Sequence, residues 1–145
     1  MVSLGVRKGE PLPTSSGSVH KNKQLPDDLV RFSFRHWHTS EKFCLPDLAA
    51  RPEYIPTLLD RLKQISSMKM SEFRQAGKAL RSHPHDWSKT SEPSGYAHLS
   101  AQLQDCQPWQ FSLARQELGR VHGILIDDVF YVVWFDPEHK MYPGQ

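Results

Sequence analysis

The chain has 145 residues, a formal net charge of +2 and an apolar fraction of 38%, values typical of a single globular domain. No apolar run approaches the roughly 20 residues that a membrane-spanning helix needs, and the N-terminus lacks an apolar signal region. We therefore expect a cytoplasmic protein that does not bind a membrane. Cys44 and Cys106 lie far apart without paired spacing, which favours reduced thiols over a disulfide framework.

The positive charge is concentrated in the N-terminal segment. Residues 1–24 contain four basic residues against one acidic residue, so residues 25–145 carry a net charge of −1. Any nucleic-acid contact by the domain must therefore use a local basic patch. Residues 1–25 are rich in Pro, Gly and Ser and lack hydrophobic periodicity, which predicts a disordered basic tail before a single domain over residues 26–145.

The first half of the domain is predicted to form a strand and two helices. Residues 29–37 alternate apolar and polar side chains, as a half-buried strand does. Apolar residues at helical spacing predict a helix over residues 53–65, and Ser71 is a candidate N-cap for a second helix that extends to Leu80. Residues 81–96 show no periodicity and predict a long loop.

The C-terminal segment is predicted to form a β-hairpin. Two apolar runs, 121–126 and 129–135, are separated by Asp127 and Asp128, a pattern typical of two strands joined by a turn. If the two aspartates form the loop, alternation assigns each residue to a face. The core face would carry Val121, Gly123, Leu125, Phe130, Val132 and Trp134. The opposite, mixed face would carry Arg120, His122, Ile124, Tyr131, Val133 and Phe135.

A third strand, over residues 109–115, is predicted to precede the hairpin. The order of elements is then an N-terminal strand, two helices, a long loop and a C-terminal antiparallel β-meander. This order predicts an α+β fold with the helices on one face of the sheet.

The element order and the C-terminal pattern together resemble the RelE/ParE-type toxin superfamily of bacterial toxin–antitoxin systems, over residues 30–143. Several short motifs carry the resemblance: Leu80-Arg81-Ser82-His83, Phe111-Ser112-Leu113, Gly119-Arg120-Val121-His122, Tyr131-Val132-Val133 and the segment from Asp136 to Tyr142. The loop between residues 82 and 107 is longer than is usual in that family, and residues 1–24 have no counterpart there.

The resemblance implies a RelE-like fold and a toxin that a cognate antitoxin neutralises. RelE-like members are metal-independent mRNA endoribonucleases, in which a 2′-hydroxyl attacks the adjacent phosphate, and the mRNA is presented by the ribosome. ParE-like members poison gyrase instead. Two alternatives to the nuclease stay open: a gyrase-directed toxin and a non-catalytic protein-binding module, with Tyr131 and Phe135 as apolar anchors.

Four residues are candidates for catalysis. Arg120 and His122 share the mixed face of the hairpin, where arginine suits phosphate binding and histidine suits proton transfer near neutral pH. His139 and Tyr142 follow the last strand, where the resemblance implies a catalytic basic group and a tyrosine. For Arg120 and His122 the alternative is an ordinary polar strand face, and for His139 and Tyr142 it is a solvated C-terminal tail.

Five further residues are candidates for RNA binding: Arg81, His83, Arg115, Tyr131 and Lys140. The aromatic ring of Tyr131 suits stacking on an unpaired base, although packing in a small apolar cluster is an equal alternative. The pairs His36-x-His38 and His83-x-His85 are candidate ligands for a metal ion. Structural zinc needs four defined ligands, so the sequence favours no metal, and no cofactor is predicted.

Overall fold

The computed structural model describes residues 28–114 and 118–144, and it confirms an α+β fold built on a five-stranded mixed sheet. The strands are β1 (Arg31–Ser33), β2 (His83–Pro84), β3 (Gln107–Ser112), β4 (Arg120–Ile126) and β5 (Val129–Asp136), and the helices are α1 (Tyr54–Ser66), α2 (Met70–Gln75) and α3 (Ala101–Gln104). The strand order is β1-β5-β4-β3-β2. β1 runs parallel to β5, and every other pair is antiparallel. The predicted tail over residues 1–25 lies outside the described residues.

The predicted first helix coincides with α1 within one residue, but the second helix is shorter than predicted. α2 ends at Gln75, and a 3-10 turn follows over Gly77–Ala79. Gly77 has φ +53°, a left-handed conformation that glycine adopts without steric cost and that ends an α-helix. The loop predicted over residues 81–96 contains β2, which pairs with β3.

Helices α1 and α2 cover one face of the sheet, which we call the back face. Its core is an aromatic and aliphatic cluster in which Phe130 lies 5.1 Å from Phe111 and 6.0 Å from Phe73 between ring centroids. Buried residues of α1 and α2 pack against this cluster, so burial of their apolar stripes holds both helices on the sheet. Among the described residues, no helix is long and apolar enough to cross a membrane.

The β4–β5 hairpin follows the predicted register only near its turn. The pairs Ile126–Val129 through Gly123–Val132 agree with the prediction, but His122 lies opposite Trp134. Val133 is therefore an extra residue in β5, a β-bulge. A Cβ atom on Gly123 would lie 2.1 Å from the carbonyl oxygen of Tyr131, so only glycine permits this close approach of the two strands.

The bulge reverses the predicted faces at the end of β5, because one extra residue inverts the alternation of side chains. Trp134, predicted on the helix-covered face, packs on the opposite face, which we call the front face. Phe135, predicted on the front, is buried in the back-face cluster. Asp136 now pairs with Arg120 and shares the front face with it.

The prediction of an exposed, mixed front face is wrong, because other segments cover that face. Phe43 stacks on Trp134 with ring centroids 4.5 Å apart, and the Tyr96 hydroxyl donates a hydrogen bond to the Gly123 carbonyl oxygen at 2.9 Å. Ile124, Val133 and Met141 complete this second buried cluster. The front face is thus covered by the segment before α1, the long loop after β2 and the C-terminal segment. The alternation within the strands did not predict this cover.

Candidate active site

A cleft of about 380 Å³ opens at one end of the front face, within the size range of ligand sites. Its nine lining residues are Gly77, Lys78, Arg81, Ser82, His83, Gln110, Arg120, His139 and Tyr142. Three of them are cationic and none of these nine is acidic. The cleft is therefore a local basic patch on a domain whose overall charge is close to zero.

Two residues of the cleft have strained backbone conformations. Arg81 has φ +49° and His139 has φ +60°, the left-handed region that costs a non-glycine residue about 1 kcal/mol or more. The surrounding structure holds the Arg81 backbone in place, since the Gln110 side-chain amide donates to the Arg81 carbonyl oxygen at 3.1 Å. Such strain is concentrated at functional sites in many proteins.

The Arg120 guanidinium is held close to a second positive charge. Arg120 is 9% exposed, and its Nη1 donates to the Gly119 carbonyl oxygen at 3.1 Å. Burial, followed by the charge of Arg81, lowers the pKa of Arg120 to about 10, although the charge of Asp136 opposes the change. Arg120 is still charged at neutral pH, so an anion in the cleft would relieve the repulsion between the two guanidinium groups.

His83 and His139 are the imidazoles of the cleft. His83 Nδ1 lies 2.8 Å from the Pro84 carbonyl oxygen, which only accepts, so Nδ1 carries a proton and Nε2 is the nitrogen that exchanges one. The His83 ring also meets the Tyr142 ring edge to face at 5.7 Å. Burial, followed by the charge of Arg120, lowers the pKa of His139, so His139 is neutral at pH 7.

A chain of hydrogen bonds connects the cleft to the protein interior, and we call it the buried chain. Tyr142 Oη lies 2.5 Å from His85 Nδ1, His85 Nε2 lies 2.9 Å from His122 Nδ1, and His122 Nε2 lies 2.9 Å from Asp136 Oδ2. His85, His122 and Asp136 are all buried. Asp136 also accepts from the backbone N–H groups of Lys140 at 2.7 Å and Met141 at 3.0 Å.

The negative charge of Asp136 sets the direction of these hydrogen bonds. Burial alone would raise the pKa of Asp136, but the hydrogen bonds from His122, Lys140 and Met141 lower it overall, so Asp136 is an ionised acceptor. His122 must then donate from Nε2 and accept at Nδ1 from His85 Nε2–H, which leaves His85 Nδ1 to accept from the Tyr142 hydroxyl.

The burial of the chain supports one proton on each imidazole. Burial lowers the pKa of His122, and burial with repulsion from His122 and His83 lowers the pKa of His85 to about 2. Burial, with a contribution from the Asp86 charge, raises the pKa of Tyr142 to about 12. At neutral pH the buried chain therefore contains a phenol, two neutral imidazoles and a carboxylate.

The structure brings five of the nine candidate residues together, since Arg81, His83, Arg120, His139 and Tyr142 all line the cleft. His122 is 0% exposed and lies behind the cleft, where it meets Tyr142 only through His85. Two of the remaining three candidates are separate from the cleft. Lys140 is exposed and Tyr131 is half-buried beside His36, and neither lines the cleft, while Arg115 lies outside the described residues.

Six residues outside the nine candidates contribute to the site. Gly77, Lys78, Ser82 and Gln110 line the cleft, and His85 and Asp136 belong to the buried chain. The buried Oε1 of Gln110 has no hydrogen-bond partner among the described residues, so it offers an acceptor beside the cleft. The His-Pro-His sequence was the only available signal for His85, and the bulge hid Asp136 from any argument based on alternation.

Within residues 28–114 and 118–144, no group of three or more His, Cys, Asp and Glu side chains could hold a metal ion. Comparisons with protein-family models, with curated proteins and with solved structures find no match to this chain. The function is therefore inferred from the chemistry of the cleft.

Proposed function

We propose that this protein is the RelE-like toxin of a toxin–antitoxin system and that it cleaves mRNA by metal-independent attack of a 2′-hydroxyl on the adjacent phosphate. One observation carries the proposal: the charges of Lys78, Arg81 and Arg120 meet His83 and Tyr142 around a single cleft. Cationic groups for a phosphate and proton-exchanging groups for the two oxygens are the parts that this reaction requires.

The two arginines are the proposed phosphate site. The guanidinium group presents several donors in a planar fork that matches two phosphate oxygens. Negative charge on these oxygens increases as the 2′-oxygen attacks, so Arg120 and Arg81 bind the transition state more strongly than the substrate. The partial burial of Arg120 strengthens this attraction because water screens it less.

Tyr142 and His83 are the proposed proton-transfer groups. The P–O2′ bond forms as the 2′-hydroxyl proton moves to Tyr142, and the P–O5′ bond breaks as the 5′-oxygen takes a proton from Nε2 of His83 in its doubly protonated form, which leaves the neutral Nδ1–H ring. The products are a 2′,3′-cyclic phosphate and a 5′-hydroxyl end. Neutral His139 lies in the same cleft, where its N–H group is a donor for the phosphate or the ribose.

The surroundings of the cleft suit a short stretch of RNA that another particle presents. A neighbouring depression is lined by Lys78, Ala79, Arg81 and Ser112, so Lys78 and Arg81 border both cavities and suit a second phosphate. The domain lacks a large positive charge that would attract free RNA over a distance. Presentation of the mRNA by the ribosome supplies that proximity, and a cognate antitoxin would act by covering the cleft.

A specific observation also supports the second candidate, a non-catalytic binding module or a gyrase-directed toxin. Phe34 and Trp37 are 45% and 42% exposed and are adjacent, since the Trp37 N–H donates to the Phe34 carbonyl oxygen at 3.0 Å. Exposed aromatic residues in one place are typical of protein interfaces. Phe135, the anchor predicted from the sequence, is buried and is not part of this surface.

Induced expression in bacteria, with primer extension on cellular mRNA, tests the proposal. We expect growth arrest with new mRNA ends for the wild-type protein, and at least a ~100-fold loss of cleavage for Arg120→Ala, the usual effect of removing one transition-state donor. Arg35→Ala is the matched control, because Arg35 is exposed and lies outside the cleft. Arrest without new mRNA ends would favour the second candidate, and no arrest would contradict both toxin hypotheses.

A further inference from the structure

We infer that the buried chain of Asp136, His122 and His85 is a proton relay that makes Tyr142 the general base of the cleft. This inference rests on the proposed function, because it explains how a protonated phenol accepts a second proton. His85, His122 and Asp136 do not touch the substrate in this scheme and act through Tyr142.

The connectivity of the chain fits a relay. Three hydrogen bonds of 2.5, 2.9 and 2.9 Å join the phenolic oxygen in the cleft to a fully buried carboxylate. Each imidazole accepts through one nitrogen and donates through the other, so each can take a proton on one side as it gives one on the other. An Nδ1–H tautomer at either histidine would interrupt the series of hydrogen bonds. The ionised Asp136 excludes it, because a carboxylate only accepts and so requires a proton on His122 Nε2.

The proton balance follows the same direction. As the 2′-hydroxyl proton moves to Tyr142 Oη, the phenolic proton moves to His85 Nδ1. The Nε2 proton of His85 moves to His122 Nδ1, and the Nε2 proton of His122 moves to Asp136 Oδ2. Both imidazoles end neutral with exchanged tautomers. After the products leave, Tyr142 releases the substrate proton to solvent, the reverse transfer along the chain returns a proton from Asp136 to the phenol, and His83 Nε2 takes a proton from solvent.

The hydrogen bonds that lower the pKa of Asp136 oppose its protonation, and the positive charges of the cleft offset that cost. The relay moves one negative charge from buried Asp136 to the attacked phosphate in the cleft, where Arg120 and Arg81 stabilise it. At no stage does the relay need a stable imidazolium ion inside the protein, which the burial of His85 and His122 would oppose.

A pH–rate comparison distinguishes a relay from a chain that only positions Tyr142. In His85→Gln the amide can still accept from Tyr142 and donate towards His122, but it cannot pass on a proton. We expect cleavage about 100-fold slower than wild type at pH 7, within the usual contribution of general-base catalysis. The ratio of wild-type to variant rates should fall about tenfold per pH unit between pH 7 and 9, since the variant must lose the phenolic proton to solvent.

Three further variants make this comparison decisive. Asp136→Asn should show the same change of slope, because the relay then lacks its terminal acceptor. His98→Gln is the control, since His98 is exposed and lies outside both the cleft and the chain. A constant ratio of rates across pH 7–9 in His85→Gln and Asp136→Asn would show a positioning role and overturn the relay. Tyr142→Phe has no phenolic proton to lose, so its cleavage rate should not rise between pH 7 and 9 as the rate of His85→Gln does.

Imidazole ¹⁵N NMR of the wild-type protein tests the relay without any RNA. We expect both His85 and His122 to be neutral and protonated on Nε2 between pH 6 and 8, and the Nδ1 signal of His85 to shift in Tyr142→Phe. An Nδ1–H tautomer or an imidazolium ion at either position would overturn the relay. If these tautomers are found but no RNA is cleaved, the proposed function fails and the hydrogen-bonded chain stands.

Discussion

The two faces of the sheet are both buried, but they are buried by different means. The back face is covered by α1 and α2 and contains an almost purely apolar cluster. The front face is covered by loop segments and encloses the buried chain beside apolar residues such as Phe43 and Trp134. The back face therefore stabilises the fold through apolar burial, while the front face also places ionisable groups where their protonation states are controlled.

The largest expected effect on stability comes from the back face. Phe130→Ala would leave a cavity between the rings of Phe111 and Phe73 and should lower the free energy of unfolding by about 3–5 kcal/mol. Urea denaturation measures this change. The fraction of the variant that is folded should cleave RNA at the wild-type rate, and a specific loss of activity in that fraction would contradict the separation of the two faces.

Gly123→Ala should affect both faces, because Gly123 lies at the bulge. The new methyl group would collide with the Tyr131 carbonyl oxygen, and we expect a destabilisation of about 1–3 kcal/mol, as for other overpacked sites. If the strands shift to relieve the collision, Asp136 moves relative to His122 and cleavage should fall more than stability does. The measurements are urea denaturation and single-turnover cleavage. A stable, fully active variant would show that the bulge does not position Asp136.

The buried histidines predict a decrease in stability as the pH falls. The pKa of histidine in an unfolded chain is about 6.5, and burial lowers the pKa of both His85 and His122. Below pH ~6.5 the unfolded chain therefore takes up protons that the folded protein does not, and the free energy of unfolding decreases by up to about 1.4 kcal/mol per pH unit for each histidine. Above pH ~6.5 the two histidines add no pH dependence.

Urea denaturation at pH 7.5, 6.0 and 5.0 measures this decrease. His85→Gln should reduce the slope by about half, while His83→Gln should keep it because both buried histidines are present. The lowered pKa of Asp136 adds a loss of stability in the same direction at lower pH, as the carboxylate is protonated. A free energy of unfolding that is constant or rises on acidification would contradict the neutral, buried state of the two imidazoles.

The smallest expected effect concerns the exposed ion pair between Arg51 and Glu138, with an N–O distance of 3.2 Å. Exposed pairs contribute about 0–1 kcal/mol, so Arg51→Ala should change the midpoint of thermal unfolding little and cleavage not at all. The change should vanish at high salt, where the attraction is screened. A loss of stability in Arg51→Ala as large as that in Phe130→Ala would contradict the view that apolar burial outweighs exposed ion pairs in this fold.

The sequence predicted the back face well because that face depends on simple periodicity. Apolar spacing located α1, and the two apolar runs around Asp127 and Asp128 located β4 and β5. The alternation of side chains along the strand also placed Arg120 and His122 on one face, as the structure does. These features depend on local alternation or helical spacing, which a single sequence displays directly.

The front face could not be predicted to the same extent because it depends on contacts that alternation does not encode. The bulge at Val133 changes the face of Trp134, Phe135 and Asp136, and the strand sequence gives no sign of it. His85 reaches His122 only because β2 pairs with β3, and a two-residue strand is too short to show a period. Lys78 lines the cleft from the 3-10 turn after α2, and Gln110 lines it from β3.

The most direct test of the central claim, that the cleft cleaves RNA through a 2′-hydroxyl, is to identify the ends that the purified protein leaves on ribosome-bound mRNA in the presence of EDTA. We expect 2′,3′-cyclic phosphate and 5′-hydroxyl ends, and no cleavage when the nucleotide before the cleaved bond is 2′-deoxy. Arg120→Ala should reduce these ends and Arg35→Ala should not. Cleavage that EDTA abolishes, or that continues at a 2′-deoxy nucleotide, would contradict metal-independent attack by the 2′-hydroxyl.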